Sequence, residues 1–390
     1  MKTTFLQSAA PRTGNLALFV SLFFLGTFPS AALLYAPALA NELVRTRHLD
    51  PKHVGLFFSV EFCGYAVAGF LGAYVLARVR MSSIMRVSLA MFVLGNILSV
   101  VTSGNYTLLL ITRGLTAILG GCTLTMIGIT ACGRSDNPSR ANGLFLLGQI
   151  VSGVIGLAVF PRLFQTYGLS AFFAAEAVAG VLAFFIVPFL PNDVPGKVNT
   201  QSSGTATRRD FLRGLAMITL LYISFSGVWT FAGAIGKSLG VPAANIGAIL
   251  SLSAGAGVLG ASVATITGKR LRLVVATSIG LAMLILSILG LGAARGVVVF
   301  IASAMLFKFA WTYMLPPAFS LIAAKEKSGR LVTFSSAGIG VGLVIGPSLS
   351  GWLIQASNGY TLALTLAAAF LIAVWMLAVV MNRASASVVA

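Results

Sequence analysis

Four ionisable side chains interrupt long apolar stretches of this 390-residue chain: Lys308, Arg113, Glu61 and Glu176. A charge at the centre of a bilayer costs about 2.5–3.5 kcal/mol on insertion scales, so each needs a partner, water or a ligand. Lys308 stands in Phe307-Lys308-Phe309-Ala310-Trp311, with no acid three or four residues away. A protein partner must therefore come from another helix. Its ammonium either holds an anionic solute, answers a moving proton, or pairs with a carbonyl or acid and fixes packing. Arg113 is always charged and can grip a carboxylate at two points. It suits either the second side of an anion site with Lys308 or a structural ion pair. Glu61 is the candidate proton carrier, because a carboxyl taken out of water keeps its proton more readily. Its alternative is a pair with Arg113, Arg45 or Arg47. Glu176 reads as a structural pair or a snorkelling side chain.

Rings and amides accompany these charges. Trp311 follows Lys308 by three residues and shares its helix face, with Tyr313 close behind. Trp229 and Tyr222 share an earlier apolar stretch, and Gln149 and Asn96 occupy two others. Such rings suit an aromatic or amphipathic anion, though packing and interfacial anchoring are their commoner membrane roles. The candidate substrate contacts are Lys308, Arg113, Trp311, Trp229, Tyr222 and Gln149, with proton coupling at Glu61 and Arg113. Nothing resembles a catalytic set. His48 and His53 are the only histidines, and there is no phosphate-binding loop and no paired acidic metal site. No catalytic residue, metal or cofactor is expected, and a proton gradient is the expected energy source. Cys63, Cys122 and Cys132 form an odd set within or at the ends of apolar stretches and read as packing residues.

The composition dictates the elements that position these groups. The chain is 58% hydrophobic and 9% charged, against about 25% charged in soluble domains. A soluble enzyme, a disordered chain and a disulfide-stapled secreted domain are excluded. The apolar runs are helical in period or continuous, so a transmembrane barrel is excluded too. They predict an all-α membrane protein of twelve spans, over 16–40, 54–77, 84–102, 107–131, 143–160, 170–190, 213–236, 244–267, 273–293, 297–323, 331–355 and 361–381. The 42 glycines fit close helix packing in lipid. Pro29 and the Pro316-Pro317 pair should bend their helices. Ala38-Leu39-Ala40 has the look of a cleavage site, but the run from Leu16 is too long for a signal peptide and is expected to stay as the first helix.

The net charge of +18 would suggest nucleic acid in a soluble protein. Here its placement gives another meaning. With the N-terminus in the cytoplasm, cytoplasmic segments hold 18 Lys and Arg, and the outer segments hold 6: Arg45, Arg47, Lys52, Arg162, Lys237 and Arg295. Arg113 and Lys308 lie within spans. This bias orients the chain with both termini cytoplasmic, and nucleic acid is not an expected partner.

The polar stretch 191–212 reads as a linker between halves that repeat each other. Ala68-Gly69-Phe70-Leu71-Gly72-Ala73 matches Ala256-Gly257-Val258-Leu259-Gly260-Ala261 at an offset of 188. Val154-Ile155-Gly156, Leu163 and Gln165 match Val344-Ile345-Gly346, Leu353 and Gln355 at an offset of 190. Two stretches at nearly one offset point to duplication, and a duplicated membrane protein points to a site between its halves.

Over essentially its whole length the chain resembles the major facilitator superfamily. Tyr35-Ala36-Pro37-Ala38-Leu39-Ala40 ends the first helix and Val54-Gly55 opens the second, a spacing similar to that of bacterial proton-linked members. Gly69, Gly72 and Arg78 fit the family's gating motif between helices 2 and 3, with Ala77 in place of its Asp and Arg80 close by. Arg113 falls near the family's embedded Arg, followed by Thr116 and Ala117 where a Gln and a Gly are usual. Gly148, Gly153 and Gly156 fit a helix 5 glycine pattern, but Leu157 replaces the Pro of exporters, and Gly346-Pro347 carries that pair in helix 11. The resemblance implies the major facilitator fold. Two six-helix bundles, 1–190 and 213–390, would alternate access to a central site lined by helix 10. It implies a monomeric secondary transporter of a small organic solute, proton-linked, in the lipid bilayer of a bacterial inner membrane. The embedded cations make an organic, aromatic anion the expected substrate. The alternatives are a proton-driven exporter of drugs or apolar compounds and a non-transporting membrane sensor or scaffold.

Overall fold

Proline and asparagine decide where the apolar runs start and break. The structure, a computed structural model, describes residues 13–76, 78–190, 208–267, 270–324 and 330–386. The first expected span arrives in three pieces: α1 (Thr13–Thr27), α2 (Ala31–Leu34) and α3 (Ala36–Arg47). Pro29 has no amide hydrogen to continue the helix after Thr27, whereas Pro37 sits in the first turn of α3, where that hydrogen is not needed. Next come α4 (Pro51–Leu76) and α5 (Met81–Thr102). The fourth expected span is α6 (Tyr106–Thr116), a π-helical turn over Ala117–Gly121, and α7 (Cys122–Gly133). The π turn begins at Ala117, one of the two residues that depart from the family pattern after Arg113. The fifth helix, α8 (Pro138–Tyr167), outruns its expected bounds at both ends. Asn137 caps it by accepting from the Arg140 amide at 3.0 Å, and Gly168 stops it at φ 59°.

α9 (Ser170–Ala183) continues into a 3₁₀ turn over Phe184–Phe189. α10 (Arg208–Ser238) begins inside the stretch expected to be linker, so Arg208 to Leu212 are helical; residues 191–207 lie outside the described residues. α11 (Ala243–Thr267), α12 (Leu273–Ala293), α13 (Val297–Ala323), α14 (Arg330–Ser357) and α15 (Thr361–Ala386) complete the order. α13 continues through Pro316 and Pro317. No strand occurs among the described residues.

Among the described residues, 10 helices are long and apolar enough to cross a membrane, and Leu16–Thr27 is a shorter apolar helix. The expected count of twelve differs at the first two positions. Pro29 divides the first span, and α4, 26 residues long, keeps part of its side chains, from 69 onward, outside the described residues. The chain is a multi-pass, all-helical membrane protein.

Within the first half α1 packs on α8 and α5 on α9; within the second, α13 packs on α11 and α12, and α10 on α15. Between halves, α4 packs on α14 and α8 on α11. The sequence repeat pairs α4 with α11 and α8 with α14. Exchanging the halves therefore turns one of these contacts into the other. Small residues make the approach close: a Cβ on Gly55 would strike the Pro347 carbonyl, and one on Gly351 the Pro51 carbonyl.

Candidate functional site

The helices run alternately up and down, which gathers the turns at 48–50, 103–105, 168–169, 239–242, 294–296 and 358–360 at one end. From the middle to this His48 end the halves are joined. Ser59 on α4 bonds Ser348 on α14 at 2.6 Å and donates to the Val344 carbonyl. Ser251 on α11 donates to the Val154 carbonyl on α8 at 2.7 Å. The Trp229 Nε1 on α10 donates to the Leu33 carbonyl on α2 at 3.1 Å. In the turn before α4, the Gln355 amide reaches the Asp50 carboxylate at 3.3 Å, and His53 bonds it through Nδ1 at 2.7 Å and its backbone amide at 2.8 Å. Burial pushes the Asp50 carboxyl up, but these bonds outweigh it and hold it below its ordinary value.

From the middle toward the opposite, Arg134 end the halves part around a cavity of about 410 Å³. Pockets of about 300–1,000 Å³ hold small organic molecules. The first half supplies Leu33, Leu34, Met126 and Ile129 with the polar side chains Ser30, Tyr65, Thr125, Thr130 and Gln149. The second half supplies Tyr222, Ser336, Ile339 and Leu343. Gln149 donates to Ser30 Oγ at 3.3 Å, and Ser30 and Thr125 hydroxyls bond at 3.2 Å. Ser30 is available to them because Pro29 has already broken the helix.

Lys308 lies behind this wall, in the second half. It is 9% exposed. Its Nζ stands 3.9 Å from the Trp229 ring centroid and 5.3 Å from that of Phe225. Trp311 stacks on Phe225 at 3.5 Å, and Tyr222 meets Trp311 edge-on at 4.9 Å. No carboxylate pairs with Lys308 among the described residues. Cation–π contact of this kind stabilises a cation by about 0.5–2 kcal/mol and uses none of the ammonium's three N–H donors in a hydrogen bond. Tyr222 links the cage to the cavity, and Trp229 links it to the closed seam.

Arg113 is elsewhere. It is 3% exposed inside the first half, with Nε and Nη2 on the two Glu61 oxygens at 2.7 and 2.5 Å. Its Nη1 donates to Asn96 at 2.8 Å and Ser99 at 3.5 Å, and its guanidinium lies 5.0 Å from the Phe173 ring centroid. The structure thus joins Arg113 to Glu61, not to Lys308, and the expected two-sided cationic site is not assembled. The reason is charge balance: a buried guanidinium pairs fork to fork with a carboxylate rather than approach a second cation. Arg45 instead pairs with Glu42 at 2.8 Å.

A second, much smaller space of about 10 Å³ lies beside the Arg113–Glu61 pair. Glu61, Arg113, Glu176 and Thr116 line it, and Ser30, Leu33, Tyr65 and Cys122 line both it and the cavity. Of the expected gating residues, Arg78 and Arg80 are exposed, with Arg80 directly before α5. Gly69 and Gly72 lie on α4, with their surroundings, like Ala77, outside the described residues. The three cysteines are free thiols, and no cluster able to hold a metal occurs among the described residues. Of the expected substrate contacts, Gln149 and Tyr222 line the cavity, Lys308, Trp229 and Trp311 stand behind it, and Arg113 is apart. Ser30, Tyr65 and Thr125 were not among the expected residues; the Pro29 break was a sequence signal for Ser30 alone.

No curated protein matches this sequence. Solved structures do resemble it. The nucleoside transporter NupG, as its D323A mutant, superposes with a TM-score of 0.78 at 12% identity, covering 94% of this chain and 99% of that one. A D-xylose-proton symporter gives 0.70 at 13% identity, covering 93% and 96%. A bacterial homologue of the human lysosomal transporter Spinster, inward-facing and unoccupied, gives 0.68 at 15% identity, covering 95% and 96%. At such identities the likeness carries the fold alone. The model of the Major Facilitator Superfamily matches residues 16–325. With that match running through both halves, around a cavity between them, the chain belongs to the Major Facilitator Superfamily of membrane transporters.

Proposed function

We propose that the protein is a proton-linked secondary transporter of a small organic anion, working by alternating access. Its twelve spans form two six-helix bundles, 1–190 and 213–390, joined by the linker 191–212. One observation carries this reading: the halves are bonded to each other toward the His48 end and enclose a cavity of about 410 Å³ whose lining extends toward the Arg134 end as far as Thr130 and Ser336. The bias of 18 to 6 in Lys and Arg puts the Arg134 end in the cytoplasm of a bacterial inner membrane. The state described is then inward-facing. Lys308 is the anchor for the anion, since it is the embedded cation that no carboxylate pairs with among the described residues, and Trp229, Trp311 and Tyr222 favour an aromatic one. Proton coupling belongs to the Glu61–Arg113 region. The chain acts alone, as a monomer, with no cofactor and no catalytic residue.

Trapping the closed end tests alternation. In a background lacking Cys63, Cys122 and Cys132, Ser59→Cys with Ser348→Cys should oxidise to a cross-link, because the hydroxyls they replace are 2.6 Å apart. With Ile129→Cys added on the cavity wall, the cross-link should speed labelling of that thiol by an impermeant maleimide from the cytoplasmic side. Failure to cross-link, or a cross-link that slows the labelling, would contradict the reading.

A further inference from the structure

Glu176 neither snorkels nor pairs. It is 6% exposed on α9 and faces the small chamber beside Glu61 and Arg113. No hydrogen bond or ion pair reaches its carboxyl among the described residues. Arg113 sits close enough to be felt, but its forked face is committed to Glu61 and its remaining nitrogen to Asn96 and Ser99. The other titratable groups around Glu176 offer no counter-charge. Tyr65 and Cys122 line the chamber, and Tyr35 is bonded to Ser152. The chamber thus holds two carboxyls and one guanidinium. An ionised carboxylate without donor or counter-ion is far costlier in such a place than its neutral acid.

We infer that Glu176 is the proton-binding group of this chamber and carries its proton in the inward-facing state, while Glu61 stays paired with Arg113. The inference rests on the proton-linked reading above and moves the coupling carboxyl from Glu61 to Glu176. Access is built in. Ser30, Tyr65 and Cys122 face both chamber and cavity. The chamber, at about 10 Å³, is close to the room a single bridging water needs. Once the proton leaves, the Glu176 carboxylate competes with Glu61 for Arg113. Proton loss therefore disturbs the contact between α4 and α6.

Infrared spectroscopy of the purified protein, in a detergent without ester groups and near neutral pH, reads the proton directly. No substrate is needed. The chain has 8 Asp and Glu, and among the described ones Glu176 alone should show a carboxylic-acid C=O stretch. Glu176→Gln should delete that band, Glu61→Gln should leave it, and Glu176→Asp should shift it; the last variant serves if Glu176→Gln does not fold. A wild-type spectrum without the band, or a band lost in Glu61→Gln and kept in Glu176→Gln, overturns the proposal. So does a sodium-dependent rise in Tm that Glu176→Gln removes, which would make the occupant a metal cation. The band is independent of flux, so a protein that shows it and transports nothing refutes the transporter reading and leaves the Glu176 assignment standing.

Discussion

Arg113→Ala should destabilise the protein by about 3–5 kcal/mol, the usual cost of removing one partner from a buried ion pair. The cause is the group left behind. Glu61 would face a chamber already holding Glu176, and Asn96 and Ser99 would lose the guanidinium that donates to them. Replacing both partners with leucine should cost much less than the sum of the two single replacements, because no orphan charge remains. Thermal unfolding of the two single variants and the double variant in detergent checks this. An unchanged Tm for Arg113→Ala would mean that the guanidinium is not paired as described.

Lys308→Met should move two quantities in opposite directions. Ligand-free protein should become more stable, since a buried ammonium with no carboxylate is replaced by an apolar chain of similar length. Binding of an aromatic carboxylate such as phthalate should weaken by about 1.5–3 kcal/mol, the contribution of a hydrogen bond to a charged group. Lys308→Arg should not restore it in full, because a planar fork does not replace a compact ammonium held over the Trp229 and Phe225 rings. Calorimetry with phthalate and unfolding without ligand separate the two effects. A loss of stability with unchanged binding would make Lys308 a packing residue.

The contrast between these two cations explains what the sequence made legible. Both stood out because a charge in an apolar run is costly wherever its helix packs. Their difference did not stand out. Arg113 meets Glu61 across 52 residues of chain and Lys308 meets no acid among the described residues, and no local spacing encodes either result. Helices followed from hydropathy, and the two stretches that repeat each other lie on α4 and α11 and on α8 and α14. The broken first helix was half legible: Pro29 announced a bend, but the release of Ser30 toward Thr125 and Gln149 depends on tertiary contact. The inward-facing Glu176 was missed for the same reason. Its helix is apolar nearly all round, so no periodicity separates a chamber-facing position from a lipid-facing one.

Uptake by proteoliposomes tests the central claim most directly. A panel of labelled aromatic carboxylates, phthalate among them, is offered with and without an imposed proton gradient. The account predicts that at least one accumulates only with the gradient, that a protonophore abolishes the accumulation, and that Lys308→Ala removes it. Accumulation at the same level without a gradient, or no organic anion taken up above protein-free liposomes, would contradict it.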